Sequence, residues 1–200
     1  MDAEFWDERY RGSERLFSGN PNGVLVTEIT GLAPGRALDV GCGEGGDALW
    51  LARRGWQVTG VDVARTALER AAAAAGDLAD RVTWTRADLA ATPPPAGAFD
   101  LVSAHYFPFL RSAGPKALRG LVEAVAPGGT LLYVSHDVAD LPPDPEREFD
   151  PADFYACADI AALLDDAWTV QVDETRPRTV PAPAGTHHTH DVVLRALRTR

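Results

Sequence analysis

The residues best placed to do chemistry lie between positions 38 and 105. Leu38-Asp39-Val40-Gly41-Cys42-Gly43-Glu44-Gly45-Gly46 joins an apolar run to a glycine-rich turn. Glycines at 41 and 43 let a ligand approach the main chain, because no side chain intrudes and positive φ is free. A helix that follows such a turn offers its amide end to the ligand. Gly41, Gly43 and Gly46 satisfy the G-x-G-x-x-G spacing, and Asp62 lies about twenty residues further on. That spacing suits a nicotinamide dehydrogenase and an adenosyl-ligand enzyme almost equally. The acids favour the second. Asp39, two residues before the first glycine, would repel a pyrophosphate but suits a ligand carrying ammonium and sulfonium charge. Asp88 adds a third carboxylate at the same edge.

The elements that must position these residues alternate. Residues before 35 read as helical, with Asn20-Pro21 as a cap and first helical position and Pro34-Gly35 as a stop. Short apolar runs at 37–40, 57–61, 81–86, 99–104 and 130–135 predict five strands. Helices are predicted over 47–54, 65–75 and 115–125. Strands and helices alternating at this spacing predict a parallel sheet covered on both faces. After Ser135 the rhythm breaks. Residues 136–151 are acidic and proline-rich and predict a surface loop, followed by a helix over 153–165. Two further runs, 168–174 and 191–197, have no helix between them and predict an antiparallel pair at one sheet edge. The expectation is one α/β domain over 1–200: a helical cap (1–34), a ligand-binding core (35–135), and a substrate-side loop, helix and strand pair (136–200). That layout leaves no room for a separate substrate domain.

Charge narrows the partners. Nineteen basic residues against 29 acidic ones give a net charge of −10. Lys116 is the only lysine, and the stretch from Asp140 to Asp153 holds six acids and one arginine. A duplex binder presents a basic stripe to neutralise phosphates, so neither nucleic acid nor an anionic membrane is expected as a partner. No run approaches about 18 apolar residues, and the acidic, aromatic start is not a signal peptide, so a cytoplasmic location is expected. Cys42 and Cys157 have no metal-ligand spacing, and Cys42 is expected to fill a small buried space.

Taken together, the motifs resemble the class I S-adenosylmethionine-dependent methyltransferases. The glycine motif 38–45, Gly60-Val61-Asp62-Val63, Ala87-Asp88-Leu89, Phe99-Asp100-Leu101-Val102-Ser103 and Ala126-Pro127-Gly128-Gly129 carry the resemblance over about residues 36–135. Phe5-Trp6-Asp7-Glu8-Arg9-Tyr10 is similar to the small-molecule tellurite and thiopurine methyltransferase-like branch. The resemblance implies a doubly wound, Rossmann-like sheet of seven strands, the last antiparallel, with helices on both faces. It implies S-adenosylmethionine as cofactor, S-adenosylhomocysteine as product and a small-molecule methyl acceptor; the alternatives are a catalytically silent adenosyl-ligand-binding regulatory module and, behind it, a nicotinamide-dependent dehydrogenase. Gly41, Cys42 and Gly43 would shape the loop under the methionine moiety, with Asp39 near its amino group. Asp62 would accept from the ribose hydroxyls. Val63 would pack on the adenine, and Asp88 and the amide of Leu89 would meet its polar edge. Ala104 and His105 would end the fourth strand beside the reactive methyl.

Several residues carry both a functional and a plain reading. A histidine titrating near neutrality could take a substrate proton, so His105 could act as a base, or it could contact the cofactor or simply pack. A soft chalcogen nucleophile would need no base. Tyr106, His136 and His188 are expected on the substrate side, and Trp6 and Tyr10 as a lid or as ordinary packing. Arg11 could face the cofactor carboxylate. His187, His188 and His190 lack the acids or cysteines of a zinc signature, so no metal is expected. The N-terminal segment and the acidic loop are expected to close over the bound cofactor.

Overall fold

The computed structural model describes residues 2–141, 150–180 and 188–200. Half of the expected acidic loop, residues 142–149, and His187 lie outside these residues. Seven strands form one sheet: β1 (Arg36–Val40), β2 (Gln57–Asp62), β3 (Val82–Arg86), β4 (Phe99–His105), β5 (Val125–His136), β6 (Trp168–Pro177) and β7 (His190–Arg198). Their order is β3-β2-β1-β4-β5-β7-β6. β1 pairs in parallel with β2 and β4, and β7 runs antiparallel to both β5 and β6. The expected mostly parallel sheet with an antiparallel last strand is present. β7 inserts between β5 and β6, so β6 forms the edge.

Alternation along the strands sorts side chains to two cores. Leu38, Val102, Ala104, Leu131 and Tyr133 pack with α5 (Lys116–Ala124) and α6 (Cys157–Ala161). The intervening Ala37, Leu101, Leu132 and Val134 pack with α2 (Gly23–Ile29) and α3 (Gly46–Arg53). By the same period of two, Asp39, Ser103 and His105 share the α3 side of the sheet. α1 (Ala3–Arg11) meets α4 (Arg65–Ala75) through a small core of Tyr10, Ala64 and Ala67.

Two helix expectations are corrected. The N-terminal region is two short helices with a loop between them, and the second starts at Gly23 rather than Pro21. Asn22 occupies its N-cap, but its side chain is drawn to Asp47 instead of capping. The helix expected over 153–165 shrinks to α6. Tyr155 donates its backbone N–H to Phe109 O (2.9 Å), and Phe154 bridges Leu110, which holds this stretch extended. Asp159 Oδ2 then accepts from Ala156 N at 2.8 Å, at the start of the helix.

One buried ion cluster ties α2 to the antiparallel edge. Glu28 Oε1 lies 2.6 Å from Arg176 Nη2, and Oε2 lies 3.1 Å from Arg195 Nη1. Arg195 Nη1 also donates to the Glu28 carbonyl. Removing one member of such a cluster leaves charges without compensation. Glu28→Ala should therefore cost about 3 kcal/mol of stability. Glu28→Gln should cost less, because its amide oxygen keeps one acceptor for an arginine and the side chain keeps its volume. Urea unfolding midpoints at constant slope would measure both.

Candidate functional site

The sheet order reverses between β1 and β4, and ligands of open parallel sheets bind at such a point, outside the carboxyl ends of the strands. A cleft of about 1170 Å³ opens there. Single small-molecule sites commonly measure about 300–1,000 Å³, so it is large for one ligand.

The glycine loop forms the floor. Gly41 N and Cys42 N both donate to Val61 O, at 2.8 and 3.0 Å, so the chain crosses onto β2 immediately after β1. Gly43 has φ +50°, and a Cβ there would sit 2.8 Å from Tyr10 Oη. No side chain fits between this loop and the N-terminal helix. Asp62 ends β2 with Oδ2 accepting from Gly43 N and Oδ1 from Ala64 N, each at 2.9 Å. Burial nevertheless raises its pKa above the ordinary carboxylate value.

Beside the loop stand two more buried acids and an imidazole. Asp39 is buried with Oδ2 lacking a partner, and its pKa is driven well upward by burial and by the neighbouring Asp47 carboxylate. Asp47, in the first turn of α3, accepts from Asn22 N at 2.7 Å and from Asn22 Nδ2 at 2.8 Å. His105 Nδ1 lies 3.5 Å from Asp47 Oδ2 and 3.2 Å from Ser103 Oγ, while its buried Nε2 has no partner. Burial lowers the His105 pKa, with Asp47 and Asp191 acting in the opposite direction.

The N-terminal helix is docked by polar contacts as well as apolar ones. Asp7 Oδ1 accepts from Thr66 N at 2.8 Å, supplying α4 with a cap that its own Ala64 cannot provide. Arg70 donates to the carbonyls of Tyr10 and Ser13 and to Glu44, whose other oxygen accepts from Leu16 N and Phe17 N. Trp6 and Tyr10 both line the cleft, and so does Arg9, whereas Arg11 is not among the lining residues.

The opposite wall is a ring stack. Tyr106 and His136 have ring centroids 4.2 Å apart, and His136 and His188 3.6 Å apart, both nearly parallel. Tyr106 is held at φ 55°, unusual for a bulky residue, by Tyr106 N donating to Val134 O and its hydroxyl donating to Asp191 Oδ1. Arg178 lies over the Tyr106 ring and pairs with Asp191 at 2.9 Å.

Val63 and Asp88 line the cleft with Asp39, Gly41, Cys42, Gly43, Asp62 and His105. Leu89 and Ala104 do not. Both sit in the α5-side core, Ala104 because it alternates with Ser103 and His105 along β4. Cys42 is buried and its thiol pKa is pushed well up by that burial. His190 turns to Asp140, 3.1 Å away. Among the described residues no cluster of three or more metal-ligating side chains forms. No described helix is long and apolar enough to cross a membrane. Sequence reasoning missed Asn22, Asp47, Arg178 and Asp191. Only Asp47 carried a signal, yet an acid in a first helical turn reads as an ordinary dipole partner.

These groups fit S-adenosylmethionine. A buried carboxylate oxygen without a partner suits a cationic amine, the glycine loop leaves a bare backbone cradle, and each Asp62 oxygen keeps a lone pair for a hydroxyl.

The ring stack makes a pH prediction. Burial, with His188 and Arg178 adding to it, lowers the His136 pKa from 6.5 to about 3. The unfolded chain therefore takes up a proton that the folded one refuses, so this contribution is complete above pH 6.5 and is lost as pH falls toward 3. Burial lowers the His105 pKa as well, so it acts with the same sign. His136→Phe keeps a flat ring and should flatten the dependence of unfolding free energy on pH in that window. An unchanged slope by chemical denaturation would count against it.

Comparison with known proteins agrees with the site. Residues 37–129 match the model of a family described as a methyltransferase domain. A 2-heptyl-1-hydroxyquinolin-4(1H)-one methyltransferase from Mycobacteroides abscessus is 32% identical over 155 residues, which are 70% of this chain and 67% of that protein. Ajmaline N-methyltransferase from Rauvolfia serpentina is 36% identical over 114 residues, 55% of this chain but only 39% of that longer protein. In fold, the N-methyltransferase NodS from Bradyrhizobium japonicum in complex with S-adenosylhomocysteine matches with TM-score 0.75 and 18% identity, covering 100% of both chains. The identity over two thirds of the M. abscessus enzyme places this chain in the same family, and it belongs to the S-adenosylmethionine-dependent methyltransferases.

Proposed function

We propose that this protein transfers the sulfonium methyl of S-adenosylmethionine to a small-molecule nucleophile. The observation that carries the reading is the convergence of Asp39, Asp62 and the bare Gly41–Gly43 backbone on one cleft at the β1/β4 reversal. In this reading Asp62 holds the ribose hydroxyls, Val63 and Asp88 border the adenine, and Asp39 compensates the amino group. The cofactor, when bound, supplies an activated methyl carbon.

The chain's own work is positioning and exclusion of water. Alignment of nucleophile and methyl carbon is worth roughly 7–11 kcal/mol of barrier. Trp6 and Tyr10 cover the glycine loop from one side, and Tyr106, His136, His188 and Arg178 wall the acceptor side. His105 stands between them as the candidate base. A small acceptor also follows from the net charge of −10 and from the named small-molecule substrates of the relatives. The motif from Phe5 to Tyr10, within the N-terminal helix, is what the proposed likeness to the tellurite and thiopurine methyltransferase-like branch rests on. That helix covers the cofactor side, so it supports a closed small-molecule site and leaves the acceptor atom to the other wall.

Two measurements test the reading. Calorimetric titration should show one S-adenosylhomocysteine bound per chain, and an acceptor screen should release S-adenosylhomocysteine with small molecules and not with duplex DNA or RNA. Turnover on nucleic acid alone would overturn the small-molecule reading. Asp62→Ala removes a charged acceptor from two hydroxyls, each bond being worth roughly 1.5–3 kcal/mol. It should weaken S-adenosylhomocysteine binding at least about tenfold while leaving the fold intact by circular dichroism. Unchanged affinity in the folded variant would take Asp62 out of the site.

A further inference from the structure

The geometry points to a general base built from Asn22, Asp47 and His105, and through it to the class of acceptor: a nucleophile that must lose a proton from oxygen or nitrogen. The inference rests on the methyl-transfer reading above and deepens it.

Asp47 is held by two hydrogen bonds from one residue, Asn22 N to Oδ1 at 2.7 Å and Asn22 Nδ2 to Oδ2 at 2.8 Å. That grip fixes the plane of the carboxylate. Its Oδ2 faces His105 Nδ1 at 3.5 Å, and both side chains are buried. We assign the ring hydrogen to Nδ1, the nitrogen that faces the Asp47 carboxylate, because a carboxylate can only accept. Ser103 Oγ, on the same sheet face two residues earlier, lies 3.2 Å from the same nitrogen. With the hydrogen on Nδ1, the lone pair is on Nε2. This atom is buried without a hydrogen-bond partner, in a side chain that lines the cleft. Buried polar atoms are rarely left unpaired, and those that are call for a functional explanation.

The balance of the step follows. The acceptor's O–H or N–H proton passes to His105 Nε2. The acceptor lone pair forms the new bond to the methyl carbon, the C–S bond breaks, and its electron pair stays on sulfur as a neutral thioether. His105 becomes an imidazolium, compensated by Asp47 on α3 and by Asp191, and later returns the proton to solvent. The titratable and charged groups around this array are Asp39 on β1, Asp47 on α3, Asp191 on β7 with its partner Arg178, and Tyr106 beside His105 in the chain. Burial favours the neutral imidazole, the form able to accept a proton. Asp47 is a positioning residue in this scheme, acting through His105. A sulfide- or telluride-type nucleophile would need none of it.

The test uses the whole chain, a series of phenols from strongly acidic (4-nitrophenol) to weakly acidic (phenol), and ¹⁵N NMR of the His105 ring. The wild type should show the Nδ1–H tautomer, and Asp47→Asn should redistribute it. His105→Gln should lose about 100-fold or more in kcat/KM on the weakly acidic phenol and less than about tenfold on 4-nitrophenol, which arrives ionised. Asp47→Asn should show the same dependence on acceptor acidity at smaller size and a shifted acid limb in the kcat/KM–pH profile. Asn22→Ala, which removes one bond to Asp47 and leaves the charges, should move in the same direction. S-adenosylhomocysteine affinity should stay within about threefold in His105→Gln and Asn22→Ala. A loss uniform across the series, an unmoved tautomer in Asp47→Asn, or turnover confined to thiols would overturn the base. Absence of S-adenosylhomocysteine binding by the wild type would instead overturn the methyl-transfer reading on which it stands.

Discussion

The passage of the chain from Val40 to Gly46, pressed between β2 and the N-terminal helix, is the constraint on which the rest of the site depends. Two amides of this loop share the carbonyl of Val61, and Tyr10 Oη occupies the space a Cβ on Gly43 would need. The loop therefore sits where only glycine can go, with positive φ at Gly41, Gly43 and Gly45. Because it is pinned there, Asp62 can bond Gly43, α3 starts at a set place, and Asp47 in its first turn comes to face His105.

Charge burial has the same origin. Asp39, Asp47, Asp62 and His105 are all buried around one loop, an arrangement that costs stability unless partners or neutralisation offset it. Asp47 and Asp62 are met by amides, whereas one oxygen of Asp39 is not. That unpartnered oxygen is the group the proposed reading gives to the cofactor amine. The opposite wall is built differently, from stacked rings with the Arg178–Asp191 pair at their edge. The two halves of the cleft thus differ in polarity, as two dissimilar ligands require.

Much of this was legible in the chain. The alternation of apolar runs and helices predicted the parallel sheet, because the period of each pattern is set by backbone geometry alone. Strand ends at Asp62 and near His105, and the helix 65–75, were read to within a residue. The helix expected over 153–165 failed because long-range pairing of Phe154 with Leu110 outweighed local propensity. Asn20-Pro21 misled because a cap is defined by where the first turn packs, and Asn22 is engaged elsewhere.

What the sequence determined by itself is therefore local: glycine where φ must be positive, acids at strand ends, and the periodicities that make a doubly wound sheet. Tertiary structure decided which side chains meet. Asn22, Asp47 and His105 are separated by 25 and 58 residues, and Tyr106 lies 85 residues from its partner Asp191. No periodicity encodes those encounters. They exist because parallel strands bring their carboxyl ends to one edge, and because alternation along β4 turns His105 into the cleft and Ala104 into the core.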